Sequence, residues 1–474
     1  MPHEVQPHGS PDAGLGPGLA RVPKNKRALV VGAGVSGLAT AVLLARRGVD
    51  VEVWEASSEP GGLLAPVEFS GKPCDRGSHR VHPSSHPLLR ELTEAEGWLS
   101  QPRNGKLVLN GRQITYPIDP VSFMRGLGAR TVASMGLSWL RRPQMWRSFR
   151  SWERDRSDAS VSDAGFEDFV LSRAGRAAYE QFYRPYVEKV WGEDANRISQ
   201  SVAKQRVSTS DPHKTILRSL GLRDDKFLYP RTGMAGLVRH LSTQAENLGA
   251  TLYYERPFKP AHLQNGKHGH PSDGRGFDAI FYTAHLSDLV PGSQLHHRGL
   301  YLLHLALPRH AIDPTVDTWY LPESKFWFSR VSQPASFSPE FADARSAILC
   351  LEIPEGRLGR KRDFEQQLPS VLTQLVEARI LRSPATPAAF RQTFLPRIYP
   401  NYYRDWYHTW SAALRHVQQL KRVLPLGRQG LFLHCNIDHC VEMADDAVRH
   451  FLSGEAIGAW IDRAGRYQDL RVRD

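Results

Sequence analysis

Arg27-Ala28-Leu29-Val30-Val31-Gly32-Ala33-Gly34-Val35-Ser36-Gly37 decides the fold of this chain. It predicts a short buried strand, three glycines in the pattern G-x-G-x-x-G, and a helix running to about Arg47. A second strand, Val51-Glu52-Val53-Trp54, ends on Glu55. An acid at that distance after the glycines completes a dinucleotide-binding βαβ unit. Each residue has a job. Gly32 allows the tight turn, Gly34 lets the backbone approach a pyrophosphate, and Gly37 lets the helix pack closely. The helix start at Val35 and Ser36 offers free N–H groups and partial positive charge to phosphates. Glu55 accepts hydrogen bonds from ribose hydroxyls.

The composition is that of a globular protein: 41% hydrophobic and 23% charged over 474 residues, enough for two or three domains. The formal charge of +12 reads as a generally basic surface, or as one suited to an anionic ligand or membrane. No compact basic run or nucleic-acid-binding motif stands out, so nucleic acid is not expected as a partner. Cys74, Cys350, Cys435 and Cys440 include no C-x-x-C pair, so no metal site is expected and free thiols in a reducing compartment are. Residues 1–25 read as a disordered tail without a secretory apolar core. No 18-residue uncharged apolar run exists, which speaks against a spanning helix. The localisation expected from these signs is cytoplasmic.

Further along, Pro60-Gly61-Gly62-Leu63 is a glycine turn, and Asp75 to Pro83 is a polar loop containing Gly77, His79 and His82. Strands are expected at Lys106–Leu109 and Arg112–Tyr116 across an Asn110-Gly111 turn. Residues 121–152 read as a helix with several arginines, either core-packing with a solvated basic face or lying peripherally on anionic lipid. Phe166–Lys189 reads as helical, and Leu228–Leu248 as a strand, turn and helix. Strands are expected at 251–255, 277–283, 299–306, 318–321, 326–331, 346–353 and 430–435, with helices over 364–380 and 441–464. The nucleotide unit opens the chain and strand–helix signals return near its end. The expected fold is therefore α/β: a doubly wound Rossmann-like domain with an inserted α+β substrate domain. Residues 26–100, 226–298 and 400–466 form the cofactor domain, and 101–225 and 299–399 the substrate domain.

The glycine spacing alone permits NAD or FAD. The Pro60-Gly61-Gly62 turn and the late Gly427-Arg428-Gln429-Gly430 segment, followed by Asn436-Ile437-Asp438-His439 and a helix, favour FAD. A helix start aimed at a flavin stabilises negative charge on the reduced ring. With these pieces, and with Gly77-Ser78-His79, Lys189-Val190-Trp191-Gly192, Tyr229-Pro230-Arg231-Thr232-Gly233 and Phe328-Ser329-Arg330-Val331, the chain resembles the FAD-dependent amine oxidase and protoporphyrinogen oxidase superfamily. Within it, the resemblance points to proteins similar to UDP-galactopyranose mutase. The resemblance implies FAD contacts from Gly32, Gly34, Val35, Ser36, Gly37, Glu55, Gly61, Gly62, Leu63, Gly77, His79, Arg428, Asp438 and Met443. It implies that Trp191, similar to a tryptophan on a mobile loop, and Arg206 and Arg330, similar to a diphosphate-gripping pair, bind substrate. Guanidinium forks suit such an anion.

The chain departs from the mutase pattern after Gly430. Phe432 and His434 stand where tyrosines are expected, and Asn436-Ile437 where an acid and a methionine are. His79, Arg330 and His434 are the catalytic candidates, with His434, Asp438 and His439 expected to cluster at the flavin edge. Histidine near its ordinary pKa suits proton transfer. The alternative for each is a structural ion pair or a satisfied core contact. The functional expectation is FAD-dependent oxidation of a small organic metabolite, anionic in part and biosynthetic in role. A non-redox nucleotide-sugar mutase and a non-catalytic flavin scaffold are the alternatives.

Overall fold

The computed structural model describes residues 26–116, 126–140, 165–206, 225–264, 276–356, 362–420 and 422–470. The expected tail, and most of the expected helix over 121–152, lie outside them. Of that helix, Ala129–Leu140 is described.

Strands are numbered in chain order; β3 (Val67–Phe69) pairs with β4 (Lys72–Cys74), and β5 (Trp98–Pro102) with β8 (Lys226–Pro230), in two small antiparallel sheets. The first sheet holds β1 (Arg27–Val31), β2 (Asp50–Trp54), β9 (Thr251–Tyr253), β10 (Ala279–Tyr282) and β16 (Val423–Pro425), in the order β16-β10-β1-β2-β9. Every pairing is parallel. β1 is buried along its whole length, as expected for a strand covered on both faces. Helix α1 (Val35–Ala45) is apolar almost throughout and has ten buried residues. A helix apolar all round belongs in a core. The helices Gly233–Asn247 and Ile437–Leu452 pack against it.

The second sheet has seven strands: β6 (Gly105–Leu109), β7 (Arg112–Tyr116), β11 (His297–Pro308), β12 (Thr318–Tyr320), β13 (Arg330–Ser332), β14 (Ser346–Pro354) and β15 (Ala389–Pro400). Its order is β15-β11-β14-β13-β12-β6-β7. All pairings are antiparallel except β12 with β6. Its apolar face carries a core of its own, including Leu303, Leu305, Trp319, Phe326, Phe328 and Leu351. Each such side chain, fully buried, contributes roughly 1.5–3 kcal/mol. The architecture is α/β, with a five-stranded parallel sheet and a seven-stranded mixed sheet as its two large layers.

Four expectations are corrected. Residues 431–435 are not a strand. The strand is β16, just upstream, and Gly427–Gly430 forms one helical turn. Leu431, Phe432 and Leu433 are fully buried, so an irregular segment carries the apolar run of a strand. The final helix is two helices, Ile437–Leu452 and Ala459–Ala464, interrupted by Ser453-Gly454. Of the strand expected over 326–331, only Arg330 and Val331 belong to β13. Phe326 and Phe328 are core residues of a turn. β15 is not among the expected strands, yet it runs for twelve residues and pairs with β11.

Candidate flavin site

The glycine loop leaves β1 at Gly32, whose φ of +94° demands glycine. A side chain at Gly37 would place its Cβ 1.9 Å from the Gly32 carbonyl oxygen. Gly37 therefore permits the helix to start against the turn itself. Gly34 differs. Its φ is an ordinary −75°, and an added Cβ would find only the Gly61 oxygen, at 3.9 Å. The protein's own packing leaves room over Gly34, which is where a diphosphate needs bare backbone. Gly61 donates its N–H to the Ala33 carbonyl at 2.8 Å, so the Pro60-Gly61-Gly62-Leu63 turn is laced to the first loop. The Glu55 carboxylate accepts from the Ala33 N–H at 2.7 Å and the Ser57 N–H at 2.9 Å. Its position at the end of β2 is fixed by the fold.

The late Gly-Arg-x-Gly turn joins this loop from the far end of the chain. An added Cβ at Gly427 would strike the Ser36 hydroxyl. The Arg428 guanidinium reaches the carbonyls of Cys435 at 3.2 Å and Ile398 at 3.4 Å. Its Nε is buried and has no partner among the described residues. Asp438, in the first turn of the helix Ile437–Leu452, accepts from the His86 N–H at 3.2 Å. Met443 on the same helix is fully buried, so its place is in the core and not on a cofactor surface.

The second wall is built on the polar face of the mixed sheet. Tyr320, Arg330 and Glu352 are direct cross-strand partners on β12, β13 and β14, and direct partners share a face. Glu352 is 2% exposed. It accepts from Arg330 Nε at 2.8 Å and Nη2 at 2.7 Å. It also accepts the Ser78 N–H at 2.9 Å. Gly77 lies so close that a Cβ there would meet the carboxylate at 3.1 Å. The loop carrying His79 is thus strapped to the sheet. Its ends are held by Asp75 on the Tyr229 hydroxyl at 2.7 Å and by Arg80 on Asp317 at 2.7 Å.

Burial lowers the His79 pKa to about 4; Glu352 opposes the shift, and Arg330 and Arg428 add to it. At neutral pH the ring is uncharged. Its Nδ1 is buried with no partner among the described residues. Burial likewise raises Asp75 to about 7.

The sequence candidates therefore separate. His79, Arg330 and Arg428 act on one another electrostatically and form one site. His434 is held by packing and hydrogen bonds, with its Nδ1 3.5 Å from Arg428 Nη2. It is 1% exposed, its Nε2 bonds the Pro400 carbonyl at 2.8 Å, and its backbone N–H bonds the Tyr402 hydroxyl at 3.0 Å. His439 Nδ1 caps its helix by accepting from the Asn436 N–H at 3.2 Å. Trp191 is not on a loop. It ends the helix Arg184–Trp191, is 1% exposed, and packs its ring 6.0 Å from His434 and 6.4 Å from Tyr399. It backs the wall and does not close over it. Arg206 ends the helix Gln200–Arg206; its side chain lies outside the described residues.

Three residues were missed by sequence reasoning. Glu352 gave no signal, because its role depends on strand register. Tyr399, at the end of β15, interacts with Arg330 and its ring lies 5.9 Å from the Arg428 guanidinium. Arg76, which donates to the Gly62 carbonyl at 3.0 Å and sits near Glu55, was readable as a cation beside the glycine turn. A separate cavity of about 590 Å³ is lined by Arg197, His296, Asn401, Tyr403, Arg404 and Phe432 among others. None of the predicted site residues lines it. Among the described residues there is no group of three metal-ligating side chains, and no helix long and apolar enough to cross a membrane.

The open backbone over Gly34, the unpartnered His79 Nδ1 and the unpartnered Arg428 Nε fit a bound flavin dinucleotide. Known proteins agree. Residues 35–305 match the model of the flavin containing amine oxidoreductases. Protoporphyrinogen oxidase 2, chloroplastic/mitochondrial, of Arabidopsis thaliana is 28% identical over 183 residues, 37% of this chain and 34% of that one. A probable UDP-galactopyranose mutase of Klebsiella pneumoniae is 22% identical over 249 residues, 52% of this chain and 59% of that one. The matched segment thus spans about a third of the first of these relatives and under two thirds of the second. Among solved structures, reduced UDP-galactopyranose mutase superposes with a TM-score of 0.74 at 17% identity, covering 95% of this chain and 100% of that one. A putative protoporphyrinogen oxidase from Exiguobacterium sp. 255-15 gives 0.65 at 16% identity, covering 91% and 99%. The family match extends over more than half of the chain, from the helix of the glycine loop into the mixed sheet, and the residues at that loop are those a FAD diphosphate requires: the chain belongs to the flavin-containing amine oxidoreductase family, and FAD is its cofactor.

Proposed function

We propose that the protein oxidises a small organic metabolite by removing two electrons across a C–N or C–C bond, and that it is not a nucleotide-sugar mutase. One observation carries the choice. The arginine expected to grip a diphosphate, Arg330, spends both arms of its fork on the buried Glu352. A neutralised guanidinium is a poor anion clamp, because a phosphate would have to displace a carboxylate that has no other cation paired with it among the described residues. The other supports are the burial of Trp191 in the wall and the structural use of His434.

Bound FAD would supply the two-electron acceptor. The chain's own residues do the rest. The glycine loop, Glu55 and Arg76 hold and orient the dinucleotide. The Arg330–Glu352 pair keeps the polar face of the sheet ordered and close to neutral. The uncharged His79 offers a ring nitrogen that can accept a hydrogen bond beside the flavin; with its pKa lowered to about 4 it is a poor proton acceptor at neutral pH.

The test uses two assays on FAD-loaded protein. In the first, amines and biosynthetic intermediates are mixed with the oxidised enzyme without oxygen, and flavin bleaching is followed. In the second, the flavin is chemically reduced, UDP-sugars are added, and ring isomerisation is followed. The proposal expects bleaching with at least one compound and no isomerisation. Isomerisation without oxygen consumption would overturn it in favour of the mutase. Inertness in both assays would favour a flavin-bearing scaffold. His79→Ala should slow bleaching by roughly tenfold, the range for loss of one buried hydrogen bond of about 1–3 kcal/mol.

A further inference from the structure

Cys435 and Cys440 have no part in the chemistry above, yet their sulfurs are 3.7 Å apart. Both are free and buried, at 6% and 5% exposure. Their surroundings are asymmetric. Cys440 sits in the first turn of the sixteen-residue helix Ile437–Leu452, where the helix dipole favours negative charge. The Ser36 hydroxyl and the Arg428 backbone lie beside its sulfur. Cys435 precedes the helix, and its carbonyl holds the Arg428 guanidinium. A helix start and polar neighbours thus surround one sulfur while the second lies at contact distance. Ser36 also begins the phosphate-facing helix α1, so the pair adjoins the cofactor loop.

We propose that Cys435 and Cys440 are a thiol–disulfide couple oxidised by hydroperoxide, with Cys440 the attacking sulfur and Cys435 the resolving one. The Cys440 thiolate attacks one peroxide oxygen. The O–O bond breaks, hydroxide leaves, and Cys440 becomes a sulfenic acid. The Cys435 sulfur then attacks the Cys440 sulfur. The S–O bond breaks, the hydroxyl leaves as water with the Cys435 proton, and the disulfide forms. In sum, two thiols and one hydrogen peroxide give one disulfide and two waters. Closing from 3.7 Å to a bond of about 2.05 Å requires side-chain rotation at one or both residues. The assignment of roles follows position: Cys440 lies in the first turn of the helix, where negative charge is favoured, and Cys435 precedes it. The Cys435 thiol beside it draws the Cys440 thiol down against burial, and the same contact with burial pushes Cys435 up. This inference does not depend on the substrate proposed above.

The test treats the FAD-loaded full chain with hydrogen peroxide, denatures it, alkylates the remaining thiols and maps the peptides by mass. The expected result is loss of two of the four thiols, a peptide cross-link between Cys435 and Cys440, and its reversal by dithiothreitol. In Cys435→Ser, a dimedone probe should label Cys440. In Cys440→Ser, labelling of Cys435 should be at least about tenfold lower, because the thiolate is the reactive form. Four alkylatable thiols after peroxide would overturn the proposal, and so would a cross-link between Cys74 and Cys350. Mapping of the wild-type chain decides the matter even if a variant fails to fold.

Discussion

The two walls of the flavin site are built by opposite means. At the glycine loop, Ala33 and Glu55 are 22 residues apart in the chain and meet through a backbone N–H. At the sheet wall, Ser78 and Glu352 are 274 residues apart, and they meet because a buried carboxylate gathers an arginine fork and a backbone N–H at once. The first wall is local, and its demands fall on glycine. The second is assembled by register between strands, and its demands fall on charge. A local wall fails through sterics, whereas an assembled wall fails through an unpaired ion.

The sharpest way to break the local wall is Gly37→Ala. The new Cβ would lie 1.9 Å from a backbone oxygen, so helix or turn must move. Overpacking of this kind costs about 1–3 kcal/mol and sometimes more. Little soluble, flavin-bearing protein is expected, read as the ratio of 450 nm to 280 nm absorbance after purification. Near-normal flavin content would show that the turn is softer than its geometry.

Acid should weaken the histidine-bearing interior next. Burial lowers the pKa values of His79, His285 and His304 to about 4, and that of His297 to about 3. Each folded value lies below the unfolded one, so the unfolded chain binds more protons and stability falls as pH falls. The loss begins near pH 6.5 and continues through pH 4. Asp75, raised to about 7, works the other way, since its contribution grows as pH falls through 7, but it is one group against four. Chemical denaturation midpoints at pH 7 and pH 5 check the sign. A higher midpoint at pH 5 would contradict it.

For the assembled wall, Glu352→Gln keeps the shape and removes the charge. Arg330, with its side chain 30% exposed, would lose its counter-ion. Breaking a fully buried pair costs about 3–5 kcal/mol, and partial exposure reduces this to about 2 kcal/mol. Urea unfolding should show the loss, and the double variant Arg330→Met with Glu352→Met should recover most of it. A double variant as weak as the single one would mean that the pair is not the organising contact.

The same contrast sets what could be read from the sequence. The β1–α1–β2 unit was legible because glycine spacing, strand apolarity and a terminal acid are all local signals. The Asn110-Gly111 hairpin and the helix Gly233–Asn247 were legible for the same reason. Glu352 was not, since nothing near it in the chain marks it as Arg330's partner. β15 was obscured because its residues are mostly half-buried and alternate only weakly. Leu431–Leu433 misled because irregular backbone can be as buried as a strand. Trp191 and His434 had the right residue types for a site, but only the three-dimensional arrangement assigns them to the packing behind it.

The smallest expected effect on stability gives the most direct test of the central claim, that the space over Gly34 is kept for FAD. An added Cβ there meets nothing of the protein closer than 3.9 Å. Gly34→Ala should therefore leave the apoprotein's thermal midpoint unchanged, while fluorescence titration with FAD shows a Kd raised by about tenfold or more, roughly 1.4 kcal/mol. Equal FAD affinity in Gly34→Ala and the parent would contradict the account, as would parent protein that takes up no FAD at all.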